Sequence, residues 1–217
     1  MECIYCQNHT ISQIDGGHPL SPDGLAELML EMELKGCHNI NFVTPTHVVP
    51  MLIEAVLTAA NEGLSLPLVY NSGGYDSVET LKLLDGVIDI NMPDFKYGDA
   101  SVAKHLSGVD DYPQTASAAL TEMHRQVGDL YIDDRGIALR GLLVRHLVLP
   151  GGFAGTAEVL RFLADGISKN TYVNIMDQYR PSWWSHQYPL LSRRTAEMEM
   201  SRAYQAAEDA GLHRFAM

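Results

Sequence analysis

The sequence predicts a single α/β domain of parallel strands joined by helices, in the manner of a β/α barrel or open sheet. Short runs of β-branched and apolar residues alternate with longer segments of helical period. Polar residues gather directly after the proposed strands, where the C-terminal strand ends of such folds share one rim. With 217 residues and 24.0 kDa, the chain is long enough to bury a substantial core as one unit.

Taken in order, Ser21-Pro22 followed by Asp23 starts a helix by capping and by the preset φ of proline. Leu25, Leu28, Met29 and Met32 supply its apolar stripe, which runs out at Gly36. Asn39 to Val43 reads as a strand, and Val49 to Glu62 as a helix with Gly63 as its cap. Pro67 to Tyr70 is a second strand. Ser77 or a neighbour caps a short helix that finishes by Asp85-Gly86, and Val87 to Met92 is a third strand, apolar enough to be buried.

Tyr97 to Pro113 is polar and punctuated by glycine, which suggests short helical pieces or loop. Thr115 to Val127 is a helix. Tyr131-Ile132, the turn Asp133-Asp134-Arg135-Gly136 and Ile137-Ala138-Leu139 form a small hairpin. A strand from Leu142 to Leu149 stops at Pro150-Gly151-Gly152, and Thr156 caps a helix running to about Gly166. Tyr172 to Met176 is the last strand and Arg193 to Ala210 the last long helix.

A formal charge of −12 with no basic stripe argues against binding a nucleic-acid backbone. No run approaches the ~18 apolar residues of a membrane span, and no secretory pattern opens the chain. Three cysteines, two of them in one CxxC, match intracellular metal or redox usage, so a cytoplasmic protein is expected.

The strand-end segments are Thr44-Pro45-Thr46-His47, Asn71-Ser72-Gly73-Gly74, Asp94-Phe95-Lys96, Pro150-Gly151-Gly152 and Asp177-Gln178-Tyr179-Arg180. Each alone reads as turn chemistry, but together they bring hydroxyls, amides, carboxylates, an imidazole and cations to one mouth. Asp94 with Lys96 also reads as a surface ion pair, and Arg145 as a residue pointing away from the core. Trp183-Trp184 reads as aromatic packing under a loop.

Cys3-Ile4-Tyr5-Cys6 has the spacing of zinc knuckles, dithiol redox sites and iron–sulfur loops. A thioredoxin-like site needs a helix starting at the pair, which Gln7-Asn8-His9-Thr10 and the Gly16-Gly17 loop do not resemble. A zinc site has His9 or His18 to recruit, but no second CxxC completes it. Cys37, just ahead of a buried strand, reads as an inert core cysteine. Two non-radical readings therefore stay open, a zinc- or ligand-binding protein on a degenerate barrel and a dithiol oxidoreductase.

Cys3-Ile4-Tyr5-Cys6-Gln7-Asn8 resembles the end of the CxxxCxxC motif of radical S-adenosylmethionine (SAM) enzymes, in which an aromatic residue precedes the last cysteine. The match extends along nearly the whole chain. Ile11-Ser12, His38 to His47, Pro93 to Tyr97, Arg140 to Pro150 and Met176 to Tyr179 resemble a group related to pyruvate formate-lyase activating enzyme. The resemblance implies a partial (β/α)6 barrel with its first strand missing. The first motif cysteine falls four residues before Cys3, ahead of Met1, so Met1 is expected to be an internal methionine or a cut. With two motif cysteines, the chain is expected to hold a cluster poorly.

The resemblance further implies a [4Fe-4S] cluster and SAM as cofactors, with reductive cleavage of SAM to a 5′-deoxyadenosyl radical that abstracts hydrogen. Flavodoxin or ferredoxin is the implied electron donor, and a glycyl-radical protein or a small molecule the implied hydrogen donor. Cys3 and Cys6 would be cluster ligands and Tyr5 would flank the adenine. Thr44, Thr46 and His47 replace a Gly-Gly-Glu-like segment that contacts the SAM amino group. Asn71 and Ser72 match a ribose or carboxylate contact, and Asp94 with Lys96 matches an Asp-x-Lys whose lysine pairs with the SAM carboxylate. Arg145 matches an arginine of the strand ending in Pro-Gly, and Gln178 lies near an adenine-side histidine. No residue is singled out as catalytic.

Overall fold

The structure is a computed structural model that describes residues 1–14 and 16–216. The strands are β1 (Ile40–Val43), β2 (Leu68–Ser72), β3 (Ile90–Pro93), β4 (Tyr131–Ile132), β5 (Ala138–Leu147), β6 (Tyr172–Met176) and β7 (Arg214–Phe215). The helices are α1 (His9–Ser12), α2 (Pro22–Leu34), α3 (Val49–Asn61), α4 (Val78–Lys82), α5 (Ala100–Ser107), α6 (Tyr112–Val127), α7 (Thr156–Phe162) and α8 (Glu197–Asp209). The sheet runs β1-β2-β3-β5-β6-β7 with every neighbour parallel, and β4 adds antiparallel to β5. Parallel strands need crossovers, which the helices supply.

Side chains alternate across each strand, so the sheet has two different faces. Leu68, Tyr70, Leu142, Val144, Val173 and Ile175 pack with Ala26, Leu52, Ala116 and Leu120 of the surrounding helices in one large core. Val69, Ile90 and Leu130 form a second, smaller cluster with Leu143 and Tyr172. By the same period, Asn71 and Arg145 follow Val69 and Leu143 on this second face, farther toward the strand ends.

The expected caps hold where a side chain has a free amide to satisfy. Ser21 Oγ accepts from Gly24 N at 3.1 Å and Ser77 Oγ from Thr80 N at 3.1 Å. Several expectations are corrected. Leu28 and Met32 are exposed, and Ala26 joins the expected Met29 as the residues that α2 buries. Within Tyr97–Pro113 the helical alternative holds over α5, started by Asp99 Oδ1, which accepts from Ser101 N at 2.7 Å and Val102 N at 3.0 Å. The final helix begins at Glu197, because Arg193 is drawn into an ion pair with Glu199 at 2.7 Å.

The hairpin forms as expected, but its second arm and the following strand are one continuous β5. Gly141 permits this. It sits at φ +120°, where an added Cβ would lie 2.4 Å from the Asp129 carbonyl. Thr156 is the first residue of α7, not its cap, and β7 was not expected at all. Cys37 is exposed, not in the core, because it lies in the loop between α2 and β1.

Candidate functional site

The last carbonyls of a helix lack partners within it. At the end of α5 the amino-terminal segment provides them, with Ile4 N donating to Leu106 O at 2.9 Å and Glu2 N to Ser107 O at 3.1 Å. From the other side, Trp184 N donates to Ile4 O at 2.9 Å. Between these anchors the chain turns tightly, Cys6 N donating to Cys3 O at 3.0 Å. Both thiols are free and half-buried. Ser107 Oγ donates to Cys3 Sγ at 3.0 Å, and Ser12 Oγ of α1 lies 3.3 Å from Cys6 Sγ.

Facing this turn are the ends of β3 and β5. The two strands pair at Asn91–Leu142 and again as a single bridge at Asp94–Arg145, where Phe95 N donates to Arg145 O at 2.8 Å. Arg145 donates to Asp94 Oδ1 from Nε at 2.8 Å, and Lys96 Nζ holds Asp94 Oδ2. The Asp94 and Lys96 side chains are only 13% and 20% exposed, so this is no loose surface pair. Burial pushes the Asp94 carboxyl up, but Lys96 and Arg145 outweigh it and hold the group below the usual carboxylate range. Burial likewise opposes charge on Lys96, whereas Asp94 and Cys3 raise its pKa above the ordinary lysine value.

The segment carrying these groups is braced from behind. Tyr112 Oη accepts from Lys96 N at 2.8 Å and donates toward the carbonyls of Gly73 and Asp94, at 2.9 and 3.0 Å. Gly74 runs so close that a Cβ there would lie 2.1 Å from the Asp94 carbonyl. His146, fully buried beside Arg145, donates from Nδ1 to Phe95 O at 2.7 Å. A carbonyl can only accept, so Nε2 takes the Thr156 hydroxyl proton at 2.9 Å. Burial pushes the imidazole down to about 4, which keeps it neutral in this role.

Cys3, Tyr5, Cys6, Asp94, Lys96, Arg145 and Gln178 all line one cavity of about 170 Å³. Gln7, Asn8, Leu147 and Met176 complete its wall. Sequence reasoning did not single out these four, although the inward register of Leu147 and Met176 follows from the two-residue strand period. Gln7 Nε2 donates to Gln178 O at 3.2 Å and so joins the thiol turn to the loop after β6. Tyr5 turns its hydroxyl inward, 2.6 Å from that of Tyr97.

The remaining candidates do not line this cavity, although Ser72 O accepts from Asp94 N at 2.9 Å. Thr44 and His47 line a separate, mainly apolar cavity of about 270 Å³ between α2, β1 and α3. Thr46 Oγ1 and Ser72 Oγ donate to the buried carboxylate of Asp76 at 2.7 and 2.6 Å, and Tyr70 Oη joins them at 2.9 Å. Asn71 is buried, and its carbonyl accepts from Thr44 N at 2.7 Å. Asp76 went unnoticed because one aspartate before Ser77 reads as turn composition. Trp183 stacks on His9 at 4.6 Å, while Trp184 is half exposed.

Among the described residues no group of three or more His, Cys, Asp or Glu is disposed to hold a metal ion. A cubane bound through three cysteines is therefore not completed by Cys3 and Cys6 alone. The opposite wall carries Asp94, whose two carboxylate oxygens are held by Lys96 and Arg145. Among the described residues, no helix is long and apolar enough to cross a membrane.

No family model matches the chain. An uncharacterized protein of Methanocaldococcus jannaschii is 30% identical over 217 aligned residues covering 95% of this chain, and the chain spans 59% of that relative's length. A domain of pyruvate-formate lyase-activating enzyme from Bacteroides vulgatus superposes with a TM-score of 0.60 at 13% identity, covering 83% of this chain and 98% of that one. A radical SAM methyltransferase from Sphaerobacter thermophilus gives 0.65 at 14% identity, over 99% of this chain and 62% of its own. Methylornithine synthase gives 0.61 at 13%, over 99% and 66%. In its parallel order and helical crossovers, the chain has the α/β partial-barrel fold of these structures, the radical SAM methyltransferase among them.

Proposed function

We propose that this chain forms the SAM-binding core of a radical SAM protein akin to pyruvate formate-lyase activating enzyme. The observation that carries this reading is the convergence of both thiols with Asp94, Lys96 and Arg145 on one cavity at the strand ends. Cys3 and Cys6 are two of three cluster ligands in this reading, and the third position of the motif falls four residues ahead of Cys3. The bound cofactors would supply a 5′-deoxyadenosyl radical for hydrogen abstraction. The chain's own residues bind and orient. Lys96 receives the carboxylate of SAM, Asp94 holds Lys96 in place, and Arg145 fixes Asp94. Tyr5 and Gln178 offer a planar wall and an amide on the adenine side. A glycyl-radical protein or a small molecule is the hydrogen donor, and flavodoxin or ferredoxin the reductant.

Anaerobic reconstitution with iron and sulfide of a chain extended upstream tests the reading. A brown cluster whose spectrum changes on adding SAM is expected. Colourless protein loaded with zinc, or reversible oxidation of the thiol pair without metal, would replace it with one of the non-radical readings.

A further inference from the structure

Behind the cavity, buried hydroxyls form a chain that ends on a thiol. Tyr5 Oη lies 2.6 Å from Tyr97 Oη, Tyr97 Oη lies 2.5 Å from Ser107 Oγ, and Ser107 Oγ lies 3.0 Å from Cys3 Sγ. Tyr5, Tyr97 and Ser107 are 6%, 0% and 1% exposed, so water does not compete for these protons. Each hydroxyl has one proton to give and an oxygen that can accept more than once. If Cys3 donated, the proton of Ser107, Tyr97 or Tyr5 would be left buried with no acceptor in the chain. If Ser107 donates to sulfur, Tyr97 donates to Ser107 and Tyr5 to Tyr97, and every donor is satisfied.

We propose that Ser107 is a positioning residue that fixes the Cys3 sulfur in the cavity as the terminal acceptor of a one-way chain Tyr5→Tyr97→Ser107→Cys3. Each donor in such a series polarises the next, so the contact at sulfur is stronger than an isolated hydroxyl would give. Cys6 has no such backing. Among the described residues its sulfur meets the exposed Ser12 hydroxyl alone, at 3.3 Å. The two thiols are therefore inequivalent, one held from the interior and the other from the surface. The meaning of Cys3 as a cluster ligand rests on the function proposed above, but the placement of its sulfur does not.

Metal-free protein separates the two ideas. Alkylation of Cys3 and Cys6 by iodoacetamide is followed by peptide mass spectrometry on the alkaline plateau of the rate–pH profile, where both sulfurs are thiolates. A donor on a thiolate slows its attack. Ser107→Ala is expected to speed Cys3 alkylation by about five- to tenfold while Cys6 stays constant as an internal reference. Tyr97→Phe, which leaves Ser107 in place but removes its donor, is expected to speed Cys3 by about twofold. An unchanged Cys3 rate in Ser107→Ala, or an equal rise at both cysteines in either variant, overturns the proposal. A cluster that fails to form in the extended chain leaves this result untouched and counts only against the function.

Discussion

Arg145 reaches across from β5 to put two nitrogens on a single oxygen of Asp94, Nε at 2.8 Å and Nη2 at 2.6 Å. That leaves Oδ2 to Lys96 alone, so one carboxylate separates two cations that would otherwise repel at the rim of the cavity. Asp94→Asn removes the separator and leaves both charges half-buried. A loss of about 2–4 kcal/mol of stability in urea unfolding is expected. Arg145→Lys is expected to lose part of this, since one ammonium cannot reproduce the guanidinium's double contact.

Lys96 is a cation that lines the cavity and is held by Asp94. Lys96→Met keeps most of the side-chain volume and removes the charge. If the zwitterion binds as proposed, SAM affinity measured by isothermal titration calorimetry falls by about tenfold or more, and enthalpy lost with the carboxylate contact is the accompanying sign. Equal binding by the variant and the parent protein would contradict this role.

His146 gives a pH dependence whose direction is fixed. Its folded pKa, about 4, is below the unfolded value near 6.5, so the unfolded chain binds the proton more readily. The stability it contributes is complete above about pH 6.5 and is lost as pH falls toward 4, by about 3 kcal/mol in all. Asp94 is depressed as well, but from a lower ordinary value, so its contribution is lost only below the carboxylate range near 4. Urea midpoints measured from pH 7 to 4 should fall in the parent protein and flatten in His146→Gln.

Two glycines of nearly equal φ separate conformational cost from collision. Gly86, at +79°, has nothing within 4 Å of an added Cβ, whereas Gly74, at +74°, would meet the Asp94 carbonyl. Gly86→Ala should cost about 1–2 kcal/mol for the left-handed conformation alone. Gly74→Ala should cost several kcal/mol, and should also shift SAM binding if the β3 end moves. Similar losses in both variants would show that the close approach at Gly74 has little consequence.

The parts of this fold that sequence reveals are those set by local chemistry. Ser21 and Ser77 cap because hydroxyls just ahead of a helical period have little else to bond. Strands β1, β2, β3 and β6 are visible as short runs with apolar residues, although the edge strand β1 buries only Ile40 and Phe42. Helix α5 shows in sequence only as short helical pieces or loop, because its inward residues are Ala103, Leu106 and Ser107, too few to mark a period among polar neighbours. At the site, Asp94, Lys96 and Arg145 were legible as strand-end residues, but their common carboxylate contact depends on the β3–β5 register. Asp76 and the Ser107 chain join residues 30 and 104 positions from their partners Thr46 and Cys3, and no local pattern carries that information.

The end of α5 has a consequence for how the chain tolerates change. Its terminal carbonyls moor the thiol turn and its final side chain touches sulfur, so two functions share one helical phase. Inserting a single residue anywhere along α5 would swing Ser107 by about 100° around the axis and carry the mooring carbonyls with it. A helix that reads as filler between two sheet strands thus acts as a ruler, and its length is constrained more tightly than its composition.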